Sequence, residues 1–151
     1  MLVRILAAIT SVVFLYGCAA TGDHMAASGT GLVGAWEVST ARSTGVGRAL
    51  ATFSSDGTFF RSGDTHTTFS GAHGAWKAAG PNVYQGSYVG LLFDQSGKLV
   101  GSARNNFQIS LSGDGNEFKG DVRVSTRDLQ DRETAKASVP IVGKRIQVQP
   151  Y

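Results

Sequence analysis

The sequence predicts one antiparallel all-β domain, closed into an up-and-down barrel of about eight strands. Turn signals such as Asp56-Gly57, Gly80-Pro81 and Ser96-Gly97 recur at short intervals from residue 31 onward. The runs between them are rich in β-branched and aromatic residues, and none has the i, i+3, i+4 apolar spacing of a helix. Because long strands in simple order would leave exposed edges, closure into a barrel is the expected solution.

The first half of the domain contains two similar stretches. Gly34-Ala35-Trp36 opens the first predicted strand, and Gly74-Ala75-Trp76 repeats that tripeptide later in the chain. The repetition indicates either two similar hairpin units or two stretches that solve the same geometric problem.

The middle strands show the alternation of a sheet with one buried face. In the predicted strand from Asn82 to Phe93, the polar residues Gln85 and Ser87 mark the outward face. The residues on the other face are therefore predicted to point inward: Tyr84, Gly86, Tyr88, Gly90 and Leu92. In Lys98 to Leu111 the predicted inward residues are Leu99, Gly101, Ala103, Asn105, Phe107, Ile109 and Leu111. Each strand therefore contributes both large side chains and small or polar ones to the interior.

The last strands continue this pattern. Glu117 to Asp128 is predicted to bury Phe118, Gly120, Val122, Val124 and Thr126. In the final strand Ala135, Ala137, Val139 and Ile141 share a face, and Pro140 is expected to point outward because it cannot donate to a ladder.

Residues 1–18, MLVRILAAITSVVFLYGC, are typical of an export signal. Arg4 forms a basic start, an apolar run follows, and Leu15-Tyr16-Gly17-Cys18 ends it. The segment resembles the bacterial lipoprotein signal, which implies cleavage after Gly17 and lipid attachment to Cys18. The expected organisation is a signal peptide at 1–17, a lipidated tether at 18–30 and the β-barrel domain at 31–151.

The expected location is the bacterial cell envelope, with the membrane as a partner through the Cys18 lipid. Ala19 and Ala20 after the cysteine resemble lipoproteins sorted to the outer membrane, which implies a barrel facing the periplasm in a Gram-negative cell. The alternatives are a plain signal peptide and a buried apolar strand that ends in cysteine. Cys18 is the one cysteine of the chain, so no intramolecular disulfide can form.

Gly34-Ala35-Trp36, together with Lys144-Arg145 near the end of the chain, resembles the calycin superfamily of lipocalins and avidin-like barrels. The resemblance implies that Trp36 closes one barrel end with Arg145 packed over its ring. The strand pattern is also similar to allene oxide cyclase-like barrels, some of which are enzymes.

Composition and motifs exclude several functions. The formal net charge is +3, and the basic residues are scattered among acidic ones, so nucleic acid is not an expected partner. No catalytic residues are predicted, since the chain has no G-x-S-x-G elbow and no free nucleophilic cysteine. Asp64, His66 and His73 match no established metal spacing, so neither a metal nor a cofactor is predicted.

The predicted ligand-binding residues are Tyr84, Tyr88, Asn105, Phe107 and Phe118, all on inward phases. An interior amide among apolar residues needs partners. Either Asn105 and the two tyrosines satisfy one another, or they orient a ligand in an apolar cup. The expected function is binding of a small apolar or amphipathic molecule. A protein-interaction or inhibitor module is the alternative, and a cyclase- or isomerase-type barrel enzyme is the third reading.

Overall fold

The computed structural model describes residues 31–42 and 45–151 as a closed antiparallel β-barrel of eight strands. The strands are β1 (Gly34–Arg42), β2 (Gly45–Phe53), β3 (Thr58–Gly63), β4 (Ala72–Gly80), β5 (Val83–Phe93), β6 (Leu99–Leu111), β7 (Glu117–Asp128) and β8 (Glu133–Arg145). Each strand pairs with the next in sequence, and β8 returns to β1. The predicted fold class is confirmed. The predicted signal peptide at 1–17 and tether at 18–30, including Cys18, lie outside the described residues.

The two ends of the barrel are set by the direction of β1. One end holds the start of β1, the end of β8 and the β2–β3, β4–β5 and β6–β7 turns; we call it the closed end. The other end holds the β3–β4 loop and the β5–β6 and β7–β8 turns; we call it the open end. The described residues contain no helix with the length and apolar character of a membrane span.

The alternation predicted for β6 and β7 is present. Gly101, Ala103, Asn105, Phe107, Ile109 and Leu111 are buried on β6. Leu99 is the exception, since it was predicted to face inward and is 39% exposed. A register shift between Leu92 and Phe93 in the β5–β6 ladder changes the phase at this point. One extra residue in a strand moves the residues beyond it to the opposite face.

The first half of β8 also departs from the prediction. Residues 133–138 are all exposed, including Ala135 and Ala137, which were predicted to face inward. Within the described part of the chain, β8 pairs with β1 only over Ile141–Arg145, whereas its pairing with β7 continues to Glu133. Pro140 is exposed as expected, and its carbonyl oxygen accepts a hydrogen bond from the Thr40 hydroxyl at 2.8 Å. The hydrogen-bonded ladder between β1 and β8 is therefore short.

Candidate functional site

Trp36 and Arg145 lie together at the closed end. Trp36 is fully buried, and its indole N–H donates to the carbonyl oxygen of Leu32 at 2.9 Å. The Arg145 guanidinium carbon lies 4.2 Å from the centre of the Trp36 ring, a cation–π distance. Arg145 also donates to the backbone carbonyl oxygens of Gly31 (2.6 Å), Val33 (2.8 Å) and Gly115 (2.8 Å). This side chain thus joins the start of β1 to the β6–β7 turn across the barrel end.

An aromatic layer lies directly inside the closed end. Phe53 is at its centre, with ring centroids 4.8 Å from Phe59, 5.8 Å from Trp76, 5.9 Å from Phe107 and 6.2 Å from Phe118. Phe118 in turn lies 4.9 Å from Trp36. Tilted and edge-on rings at these separations attract one another in addition to burying apolar area. The layer fills the barrel at this level and forms a floor.

Above this floor the described residues do not fill the barrel. A cavity of about 860 Å³ extends from the aromatic layer toward the open end. Its wall is mainly apolar and includes Val38, Phe59, Val122, Val124, Val139 and Ile141. Small-molecule sites commonly have volumes of roughly 300 to 1,000 Å³ and this kind of lining.

Four of the five residues predicted to bind a ligand line this cavity: Tyr88, Asn105, Phe107 and Phe118. Tyr84 does not line it. Its ring packs against Trp76 at a centroid distance of 5.7 Å. Tyr84 precedes Tyr88 by four residues on β5, so it lies on the same face but nearer the closed end, opposite Ile109.

Tyr88 and Asn105 bring two polar groups to the cavity from neighbouring strands. They are direct partners in the β5–β6 register, and they are 7% and 5% exposed. The Asn105 amide nitrogen donates to the carbonyl oxygen of Ala103 at 3.2 Å. Among the described residues, neither the Tyr88 hydroxyl nor the Asn105 amide oxygen has a hydrogen-bond partner, and no bond joins these residues to Tyr84. The expected mutual satisfaction of the three side chains is therefore not seen.

Burial raises the pKa of the Tyr88 hydroxyl, and the nearby positive charge of Arg61 opposes that effect only in part. Tyr88 is consequently a neutral phenol at physiological pH. In this form its hydroxyl can both donate and accept a hydrogen bond.

Arg61 lines the cavity and was not among the predicted ligand-binding residues. It lies on the inward face of β3, in phase with Phe59. Its guanidinium carbon lies 5.5 Å from the ring centre of Phe69 and 6.0 Å from that of Tyr88. The signal was present in the sequence, because alternation from Phe59 after the Asp56-Gly57 turn places Arg61 inward.

Asp64 connects the end of β3 to β1 and β2 at the open end of the barrel. Its carboxylate accepts hydrogen bonds from the backbone N–H of Arg48 at 2.9 Å and from the Arg42 guanidinium at 2.9 Å. The Arg48 backbone bond and then the Arg42 side chain lower the pKa of Asp64. Asp64 therefore stays ionised and holds the β3–β4 loop against β1 and β2.

The histidines of this region do not form a metal site with Asp64. His73 packs against Phe60 on the outer surface, with ring centroids 4.8 Å apart. In residues 31–42 and 45–151 there is no group of three histidine, cysteine, aspartate or glutamate side chains placed to hold a metal ion. Comparison of the chain with known protein families, with curated proteins and with solved structures finds no significant match.

Proposed function

We propose that this protein binds a small apolar or amphipathic molecule inside the barrel. The observation that carries the proposal is the cavity of about 860 Å³ between the aromatic floor and the open end. A barrel that served only as a scaffold would be expected to fill this space with side chains, as protein interiors usually do. Here the inward positions of Ala49, Ala51 and Ala103 are small and leave the space open.

The polar groups of the wall suit such a ligand. The Tyr88 hydroxyl and the Asn105 amide belong to paired residues on neighbouring strands, in a cavity wall that is mainly apolar. Small-molecule sites typically combine an apolar wall with a small number of convergent polar groups that fix orientation.

A cavity-filling substitution tests this proposal. Ala103→Phe places a ring into the cavity, whereas Ala78→Phe places the same ring at an exposed position near the end of β4, outside the cavity lining. We expect Ala103→Phe to weaken binding of an environment-sensitive apolar dye at least about tenfold, because the dye and the new ring compete for one space. Ala78→Phe should bind the dye as the wild type does. Equal dye binding by all three proteins would contradict the proposal.

The envelope location and the calycin-like kinship belong to the same proposal. The lipoprotein-like segment ending at Cys18 supports a lipid anchor, and residues 18–30 would hold the barrel at the membrane surface. The sequential eight-strand topology and the stacking of Arg145 on Trp36 support kinship with calycin barrels.

A protein-interaction module is the second candidate, and one observation favours it. Phe60 and Val89 lie on neighbouring outer positions on either side of His73, and both are more than two-fifths exposed. Exposed apolar clusters often mark contact surfaces. If the wild-type cavity binds no apolar probe, this surface becomes the better candidate.

A further inference from the structure

Arg61 projects into the barrel and along its inner wall. Its register partners on β2 and β4 are Ala51 and Ala72, which are both buried. One guanidinium nitrogen lies 3.0 Å from the point that a Cβ on Gly63 would occupy. Because Gly63 has no side chain, the guanidinium can lie over it, on the side toward the open end.

The described residues that line the cavity include arginines and no aspartate or glutamate. Arg42, Arg48 and Arg61 are among the lining residues, but the Arg48 side chain lies on the exposed face of β2. Arg42 is paired with Asp64 at 2.9 Å, and Arg48 is paired with Glu37 on the outer face. Among the described residues, the Arg61 side chain has neither an ion pair nor a hydrogen bond, although its charge lowers the pKa of the Asp64 carboxyl after the larger effects of Arg48 and Arg42.

The surroundings of Arg61 make an anion a favourable partner. The rings of Phe69 and Tyr88 flank its guanidinium and exclude water from part of it. A cation with reduced hydration is costly unless it is paired, and its attraction to an anion is stronger than in water. Tyr88 and Thr65 line the same cavity, and their hydroxyl groups can donate further hydrogen bonds.

We infer that the cavity binds an amphiphile with one anionic headgroup, held at Arg61, and an apolar chain directed toward the floor of Phe53 and Phe118. A carboxylate or a phosphate ester has the required chemistry, because a guanidinium donates two parallel hydrogen bonds to either group. This inference rests on the proposed function, since it names the class of ligand that the cavity takes.

The test compares ligands that share a chain and differ in headgroup. Decanoate, decyl phosphate, decan-1-ol and decyltrimethylammonium compete with a bound apolar dye on the full chain near neutral pH. We expect the wild type to bind one or both anions about 10- to 100-fold more tightly than the alcohol, the range for a charge-assisted hydrogen-bonded pair. The stronger of the two anions identifies the headgroup, and the cationic amphiphile should bind most weakly.

Variants locate the effect at Arg61. Arg61→Gln should reduce anion affinity to that of the alcohol and leave alcohol affinity unchanged, while Arg61→Lys should retain part of the preference because it keeps the charge. Arg123→Gln is the matched control, since Arg123 is exposed on the outer face of β7. If both glutamine variants weaken anion binding equally, the preference comes from the overall charge and the inference is wrong.

The wild-type comparison separates the two proposals without any variant. If the wild type binds the alcohol and the anions equally, the anion subsite is wrong and the apolar cavity still functions. If the wild type binds neither the dye nor any of the amphiphiles, the proposed function itself is wrong.

Discussion

Trp36 illustrates how a single residue closes the barrel. Its ring is completely buried between Phe118 and the Arg145 guanidinium. We expect Trp36→Ala to lower the free energy of unfolding by about 3 to 5 kcal/mol, because it leaves a large cavity and removes the stacking partner of Arg145. Urea denaturation measures this change.

Trp76→Ala provides the comparison at the same scale. Trp76 is 9% exposed, and its indole N–H donates to the carbonyl oxygen of Ser54 at 3.1 Å beside the β2–β3 turn. We expect its loss to cost less than the loss of Trp36, because the site is nearer solvent and can relax. Small and equal losses for both variants would contradict a closing role for Trp36.

At the scale of elements, four of the described hairpin turns have the same feature: an aspartate carboxylate accepts hydrogen bonds from groups within the turn. These are Asp56 (β2–β3), Asp94 (β5–β6), Asp114 (β6–β7) and Asp128 (β7–β8). These hydrogen bonds hold the pKa of each carboxyl below its usual value of 3.8. For Asp56 and Asp128 the leading cause is a backbone N–H, that of Thr58 and that of Arg132. For Asp94 and Asp114 it is a serine side chain, Ser96 and Ser112 respectively.

These shifts predict loss of stability in acid. A carboxyl whose pKa is lowered by folding stabilises the folded state above the unfolded pKa, and this contribution is lost as the pH falls through the folded pKa. We expect the urea midpoint to be level above about pH 5 and to fall below about pH 4. Combined Asp94→Asn and Asp128→Asn substitutions should flatten this fall.

Asp121→Asn is the control for the acid experiment. Asp121 is exposed on β7, and its carboxylate accepts no hydrogen bond within the described residues. The control should therefore lose stability in acid as the wild type does. If it flattens the pH dependence as much as the turn variants do, general charge repulsion rather than turn hydrogen bonding governs the acid sensitivity.

At the scale of the whole molecule, the lipoprotein-like segment predicts where the barrel works. Cys18 is the single thiol of the chain and ends an apolar segment. We expect Cys18→Ala to release the barrel from the membrane fraction or to leave an uncleaved precursor, because the membrane affinity of the proposed anchor would come from acyl chains on Cys18. Cell fractionation with electrophoretic mobility measures both outcomes. Identical behaviour of variant and wild type would show that Cys18 carries no anchor.

Much of the barrel wall could be predicted from the sequence. Turn residues and two-residue alternation are local properties, so they predicted the strand order and the inward faces of β6 and β7. They also predicted that Asn105, Phe107 and Phe118 face the interior, where they line the cavity.

The tertiary structure alone decided how these faces meet. A register shift turned Leu99 outward, and the short β1–β8 ladder left the first half of β8 exposed, although both segments alternate in sequence. The cavity and the position of Arg61 inside it depend on which side chains meet across the closed barrel. These side-chain contacts are determined by strand register and by closure of the barrel. Both result from pairing between distant segments, which local residue patterns do not determine.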